Sequence, residues 1–164
     1  MIMPAPLRKA VLVTHVATSV GWLGALLAYL ALDLTAATGS DLEVVQSAYV
    51  AMDLLVRYVI VPLALATVLI GIVNAFGTTW GLFRHYWVLV KLVLTLVATA
   101  FLLHEVPTVA ALADGAASGL DPRGLSSTLP HSIGGLIVLS TTLILSVFKP
   151  RGLTRYGWRK QRRG

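Results

Sequence analysis

The chain has 164 residues, of which 57% are hydrophobic and 12% are charged, and it contains no cysteine. A soluble domain has about 25% charged residues, so this composition excludes an ordinary soluble protein and favours one integral membrane domain. Without cysteine the chain has no disulfide, thiolate metal site or iron–sulfur cluster, and its net charge of +6 is better explained by membrane topology than by nucleic-acid binding.

Four stretches of the sequence are long and apolar enough to cross a membrane. A helix rises about 1.5 Å per residue, so about 20 residues cross a hydrocarbon core of about 30 Å. The predicted fold class is therefore all-α, a four-transmembrane-helix bundle. The predicted segments are helices at about 9–32, 43–76, 83–105 and 130–149, and a basic tail at 150–164.

The first two helices carry local signals for their ends and for one distortion. The first ends in a turn rich in small and polar residues at 35–40. The second carries Asp53 and Arg57 four residues apart, a spacing that allows an ion pair on one face. Pro62 is expected to kink this helix.

The second half of the chain is predicted to contain two spans and a long connection. Trp80 lies in a short loop before the third helix, at the membrane interface. That helix is predicted to stop before Pro107, because proline disrupts helical hydrogen bonding. Residues 108–128 are predicted to form a loop outside the membrane, and the fourth helix begins near Pro130.

The charged residues at successive ends of the charge-poor stretches alternate in sign along the chain, and only Arg57, Lys91 and Arg123 break the pattern. The positive-inside rule then predicts a protein of the cell membrane with both termini cytoplasmic and a basic tail against anionic membrane lipids. The basic residues at one set of ends are Arg8, Lys9, Arg84, Lys149, Arg151, Arg155, Arg159, Lys160, Arg162 and Arg163. The acidic residues at the other ends are Asp33, Asp41, Glu43, Asp53, Glu105, Asp114 and Asp121.

The four histidines are the candidate cofactor ligands. A b-type haem in a helical bundle needs imidazoles from facing helices at one depth. His104 and His131 offer such a pair at one end, and His15 and His85 a less well-matched pair at the other. Helix-end histidines are also common without a ligand role, and that interpretation is favoured for His85. His15 is the sharpest candidate, because an ionisable side chain inside a membrane needs a partner.

Two further residues could complete a site. Trp22 follows His15 by seven residues, on a stripe that continues to Tyr29; the stripe is either a packing face or part of a ligand site. Lys91 lies well inside the third helix. It is either a lysine that extends to the interface or a buried cation for an anionic ligand such as a haem propionate or a lipid phosphate.

Motifs on all four helices resemble the HemJ-type protoporphyrinogen oxidases and the related CopD-like four-helix membrane proteins. The motifs are His15-x6-Trp22-x-Gly24, residues 52–71 with Met52-Asp53 and Tyr58-x3-Pro62, Trp87-x3-Lys91-Leu92, and Ser146-x2-Lys149-Pro150. The whole chain is also similar to four-helix membrane proteins of high-GC Gram-positive bacteria.

This resemblance implies a b-type haem held through His15 and a functional role for Lys91. Two features depart from the HemJ pattern. The run after the first-helix Trp-Gly is Ala-Leu-Leu-Ala-Tyr-Leu-Ala, without the expected proline and arginine, and His131-Ser132 stands where an Asn-Glu pair is expected. These departures weigh against porphyrinogen oxidation.

Three functions remain open, and whether the protein is an enzyme is not decided. The first is a haem b-binding redox or electron-transfer protein with a membrane electron donor, with cofactor residues His15, Trp22, Lys91, His104 and His131 and the three histidines as iron ligands. The second is a non-catalytic accessory or lipid- or solute-handling bundle without cofactor. The third is a porphyrinogen oxidase. Faces of small residues would permit a homo-oligomer.

Overall fold

A computed structural model describes residues 3–77, 81–122 and 127–162. A π-helical turn, Val56–Ile60, joins the helices Leu42–Leu55 and Val61–Gly77. Trp80, Arg123 and Arg163, which the sequence predictions mention, lie outside the described residues. The helices are α1 (Ala5–Thr38), α2 (Leu42–Leu55), α3 (Val61–Gly77), α4 (Tyr86–Ala117), α5 (Leu129–Phe148) and α6 (Arg155–Gln161).

Four helical segments are long and apolar enough to cross a membrane: α1, the continuous α2–α3 segment, α4 and α5. Their outward side chains are apolar and exposed, as with Val13 (67%), Leu69 (64%), Val97 (61%) and Ile137 (62%). Monomeric soluble proteins rarely expose large contiguous apolar patches, so this surface suits a lipid environment. The predicted all-helical fold with four candidate spans is confirmed for the described part of the chain.

The four segments run alternately up and down, which gives the bundle two chemically different ends. The basic end is where α1 and α4 begin and α3 and α5 finish; there the Met3 amide donates to the Gly77 carbonyl at 3.2 Å. The acidic end is opposite; there the Gln46 side chain donates to the Leu120 carbonyl at 2.9 Å. We call the half of the interior next to each end the basic half and the acidic half.

The distortion predicted at Pro62 takes the form of the π-helical turn Val56–Ile60. Proline has no N–H to donate to the carbonyl four residues earlier. The turn before it widens, and the Val61 amide donates to the Val56 carbonyl, five residues back. Such turns are frequent at functional sites. Here Val56 and Ile60 are almost fully buried, with 3% and 1% of their surfaces exposed.

The prediction that the third transmembrane helix stops before Pro107 is wrong. Helix α4 continues through Pro107 to Ala117, so about half of the predicted loop at 108–128 is helical. The exposed proline removes one backbone hydrogen bond. The extension is stabilised instead by packing against α2, since Val109 and Leu112 beyond the proline are each only 4% exposed.

Other boundaries differ less from the predictions. Helix α1 spans Ala5–Thr38 rather than about 9–32, and the hydroxyls of Thr35 and Thr38 at its polar end donate to carbonyls four residues back, which satisfies these polar groups within the helix. The continuous α2–α3 segment matches the predicted 43–76 closely. The predicted ion pair between Asp53 and Arg57 is confirmed, with Nε and Oδ1 2.7 Å apart.

The basic tail contains a short helix, α6, that the sequence did not reveal. Thr154 caps it by accepting a hydrogen bond from the Gly157 amide. The same hydroxyl donates to the Phe83 carbonyl at 2.6 Å. This contact fastens the tail to the segment that precedes α4.

The apolar core lies mainly in the acidic half. Trp22 and Tyr49 are 3% and 5% exposed, and Met52 and Val45 are fully buried. In the basic half the interior contains polar side chains instead, among them Thr67, which is only 6% exposed. The interior is therefore divided into an apolar region and a polar region.

Candidate ligand-binding sites

A cavity of about 320 Å³ lies in the acidic half, between α1, the π-helical turn, α4 and α5. Small-molecule sites have volumes of about 300–1,000 Å³ and are mostly apolar, with a few polar groups that fix the ligand's orientation. This cavity has that character. Its apolar lining includes Trp22, Leu26, Ile60, Phe101, Val106 and Leu139.

The polar groups of the cavity lie together at its acidic end. Glu105 of α4 and His131 of α5 both line it, with carboxylate Oε2 and imidazole Nδ1 3.6 Å apart. The Glu105 side chain is 17% exposed and that of His131 is 41% exposed. The His131 ring also lies against Phe101, with ring centres 5.1 Å apart. The cavity thus has an apolar body and one acid–base pair at its end.

A buried carboxylate lies beside this pair. Asp33 is only 2% exposed and accepts hydrogen bonds from Thr128 Oγ1 at 2.6 Å and Ser132 Oγ at 2.7 Å. Thr128 directly precedes α5 and Ser132 lies in its first turn, where free backbone N–H groups favour a negative charge. Tyr29 lies next to Thr128. Tyr29 and Ser132 also line the cavity, so Asp33 holds a lining residue, Ser132, in place through its hydrogen bond.

In the basic half, His15 packs against α3. A Cβ atom placed on Gly71 would lie 2.8 Å from His15 Cε1, so the glycine makes room for the imidazole. The imidazole also reaches the backbone of Thr67. The hydroxyl of Ser19, one turn further along α1, donates to the His15 carbonyl at 2.7 Å. The His15 imidazole is therefore closely packed between helices α1 and α3.

Lys91 joins α4 to α5 in the same half. Its ammonium donates to the Ser146 hydroxyl, which in turn donates to the Thr142 carbonyl at 2.8 Å. The ammonium lies 6.0 Å from the centre of the Trp87 ring. It is also within electrostatic range of His15. We call His15, Thr67, Asn74, Lys91 and Ser146 the polar cluster.

Three buried atoms of the polar cluster have no hydrogen-bond partner: His15 Nδ1, Thr67 Oγ1 and Asn74 Oδ1. Thr67, Gly71 and Asn74 follow one another at helical spacing on one face of α3. Buried polar groups are almost always hydrogen-bonded to protein, water or an ion. The polar cluster therefore has capacity for water or a bound ligand.

The structure separates the predicted site residues into two groups. Trp22 and His131 line the cavity, whereas His15 and Lys91 belong to the polar cluster. His104 is exposed and does not line the cavity, although it is adjacent to Glu105. The described contacts of His131 are with Glu105 and Phe101 rather than with His104.

Other sequence predictions concern the helix ends and metal sites. His85 is the residue before α4, with its ring 6.4 Å from that of Trp87, and its backbone bridges to Leu153. Within the described residues, no three or more His, Cys, Asp or Glu side chains form a group that could hold a metal ion.

The sequence interpretation missed Asp33, Glu105 and Ser132 as site residues. Asp33 and Glu105 were classed with the acidic residues outside the membrane. A signal for Asp33 exists, because it extends the buried stripe of α1 through Trp22 and Tyr29 at alternating spacings of three and four. No comparable signal exists for Glu105, since its role depends on how α4 is rotated against α5.

Comparison with known proteins does not test the resemblance to the HemJ-type and CopD-like proteins. No family model matches the chain, and no curated protein or solved structure matches it significantly. The similarity to HemJ-type and CopD-like proteins therefore stays a prediction from the motifs.

Proposed function

We propose that the protein binds a lipid-soluble, amphipathic molecule inside its bundle, with the ligand's polar group between Glu105 and His131. The observation that carries this proposal is the apolar cavity of about 320 Å³ with one acid–base pair at its end. This is the lipid- or solute-handling alternative from the sequence.

The chemistry of the lining defines the ligand class. An apolar body would lie among Trp22, Leu26 and Phe101, where van der Waals packing would hold it, because the surrounding lipid is itself apolar. A hydroxyl or carbonyl group at the other end could donate to Glu105 or accept from His131. A strongly charged head would gain less, since the pair already contains both an acid and a base.

Two glycines provide a matched test of this proposal. Gly134 lines the cavity and a Cβ atom there would meet nothing within 4 Å, so Gly134→Leu is the substitution chosen to reduce the cavity volume. Gly24 is equally free of neighbours but does not line the cavity, so Gly24→Leu is the control. Both substitutions remove a glycine from a helix interior, which by itself favours the helix.

The measurement is native mass spectrometry of the detergent-purified protein, followed by organic extraction and identification of what is released. We expect a bound molecule on the wild type and on Gly24→Leu, and its loss from Gly134→Leu. Retention by Gly134→Leu, or a wild type that carries nothing and takes up no added hydroxylated or carbonyl-bearing lipid, would contradict the proposal.

Haem binding for electron transfer is a second candidate, favoured by the buried and unpaired Nδ1 of His15. An imidazole nitrogen without a hydrogen bond is available to iron, and Lys91 would face a propionate. Haem would supply one-electron chemistry. A reduced-minus-oxidised visible spectrum tests this candidate: a haem band that His15→Ala removes and His104→Ala retains would support it, and a colourless folded protein would overturn it.

We also propose that the protein lies in the cell membrane with both termini cytoplasmic, on the strength of the charge asymmetry. Because the chain has no cysteine, single cysteines report topology directly. A membrane-impermeant maleimide added to intact cells should label Ser40→Cys at the acidic end and leave Arg155→Cys unlabelled until the cells are lysed. The reverse pattern would refute the orientation.

A further inference from the structure

Lys91 is a partly buried cation without an acidic partner. An ammonium has three N–H donors, and in the described part of the chain one goes to Ser146 while no carboxylate lies within ion-pair distance. Asp53 is paired with Arg57, and Glu105 lies beside His131 in the acidic half. A charge at membrane depth needs compensation, and within the described residues no acidic side chain lies close enough to Lys91 to supply it.

The groups around Lys91 add to the local positive charge, which favours binding of an anion. His15 and Lys149, at the end of α5, both lie within electrostatic range of the Lys91 ammonium. The buried hydroxyl of Thr67 has no hydrogen-bond partner and can donate a hydrogen bond. Lys91, Lys149 and the Thr67 hydroxyl thus offer positive charge and hydrogen-bond donors to this part of the interior.

We propose that the polar cluster binds a phosphate-type oxyanion, with Lys91 as its principal ligand. Lysine is a frequent phosphate ligand because its ammonium acts as a compact point charge. Two sources share this chemistry: the headgroup of a phospholipid at the basic end and a soluble phosphate compound. The site lies apart from the cavity and does not depend on the function proposed for it.

The position of Lys91 is consistent with a ligand that enters from the basic end. Lys91 lies five residues after the first residue of α4, which places its backbone about 7.5 Å along the helix at about 1.5 Å per residue. Its side chain turns to Ser146, only three residues before Lys149. A phosphate at the membrane interface can therefore reach the ammonium without crossing the apolar core.

Thermal unfolding of the protein in an uncharged maltoside detergent tests this site. One series adds inorganic phosphate, and the other adds phosphatidic acid or phosphatidylglycerol, each against potassium chloride at matched ionic strength. At a hundredfold excess over Kd, mass action predicts a rise in Tm of about 5–10 °C. A response to phosphate alone identifies a soluble ligand, and a response to the lipids alone identifies a headgroup.

Variants assign the response to the polar cluster. Lys91→Gln should lose it, and Lys9→Gln, which removes an exposed lysine at the same end, should keep it. If Lys91→Gln does not fold, Lys91→Met, with an apolar side chain suited to the membrane, takes its place. Gly134→Leu should also keep the response, which separates this site from the cavity. No rise in Tm beyond that of chloride, or an equal rise after removal of the lysine, would overturn the proposal.

Discussion

Asp33 offers the sharpest test of how the acidic half is held together. Its carboxylate accepts hydrogen bonds from Thr128 and Ser132 at 2.6 and 2.7 Å and is only 2% exposed. A hydrogen bond to a charged group contributes about 1.5–3 kcal/mol, so Asp33→Ala should lower the free energy of unfolding by about 3–6 kcal/mol. The total for a native protein is about 5–15 kcal/mol.

The asparagine variant refines this prediction. Charge-assisted hydrogen bonds are roughly twice as strong as neutral ones, and an amide at position 33 can still meet both hydroxyls. Asp33→Asn should therefore cost about half as much as Asp33→Ala, about 1.5–3 kcal/mol. It also loses the favourable interaction between the negative charge and the first turn of α5.

The assay is reversible unfolding in mixed detergent and sodium dodecyl sulfate micelles, followed by circular dichroism. Asp114→Ala is the control, because it removes an acidic residue from an exposed position on α4 and should change stability by no more than about 0.5 kcal/mol. If Asp33→Ala were within about 1 kcal/mol of this control, the two hydrogen bonds would not stabilise the bundle as argued.

Two further substitutions test the basic half. Gly71→Ala should cost about 1–3 kcal/mol in the same unfolding assay, because its methyl group would displace the His15 imidazole from 2.8 Å; Gly24→Ala, in open space, should cost nothing, and equal effects would contradict the packing. Thr154→Val removes the hydrogen bonds that fasten α6, so trypsin should cleave the tail faster than in Thr141→Val, whose hydroxyl binds only its own helix. Equal cleavage would show that α6 is held by other contacts.

Much of the candidate site was visible in the sequence one helix at a time. Helical periodicity placed His15, Trp22 and Tyr29 on one stripe, and Trp22 and Tyr29 are buried on that face. For the isolated Lys91 the sequence leaves two interpretations open, a lysine that extends to the interface and a buried cation for an anionic ligand. The spacing of residues along each helix could not show that Trp22 lines the cavity while His15 and Lys91 belong to the polar cluster. That division depends on the rotation of each helix against its neighbours.

The errors have a common physical cause. Pro107 predicts a helix end because the loss of its backbone hydrogen bond is a local property of the sequence, whereas the packing of Val109 and Leu112 against α2 exists only in the folded bundle. Likewise, His104 and Glu105 are sequence neighbours, but adjacent positions point about 100° apart on a helix. Only the packed bundle decides that Glu105 meets His131 while His104 stays exposed.

The sequence by itself determined the class of the protein, its four candidate spans and the opposite charge of their two sides. These properties follow from hydrophobicity and length, which every stretch of chain carries locally. The tertiary structure decided the cavity, the buried pairing of Asp33 and the polar cluster around Lys91. Each requires side chains from different helices to meet, and that geometry exists only once the helices have packed.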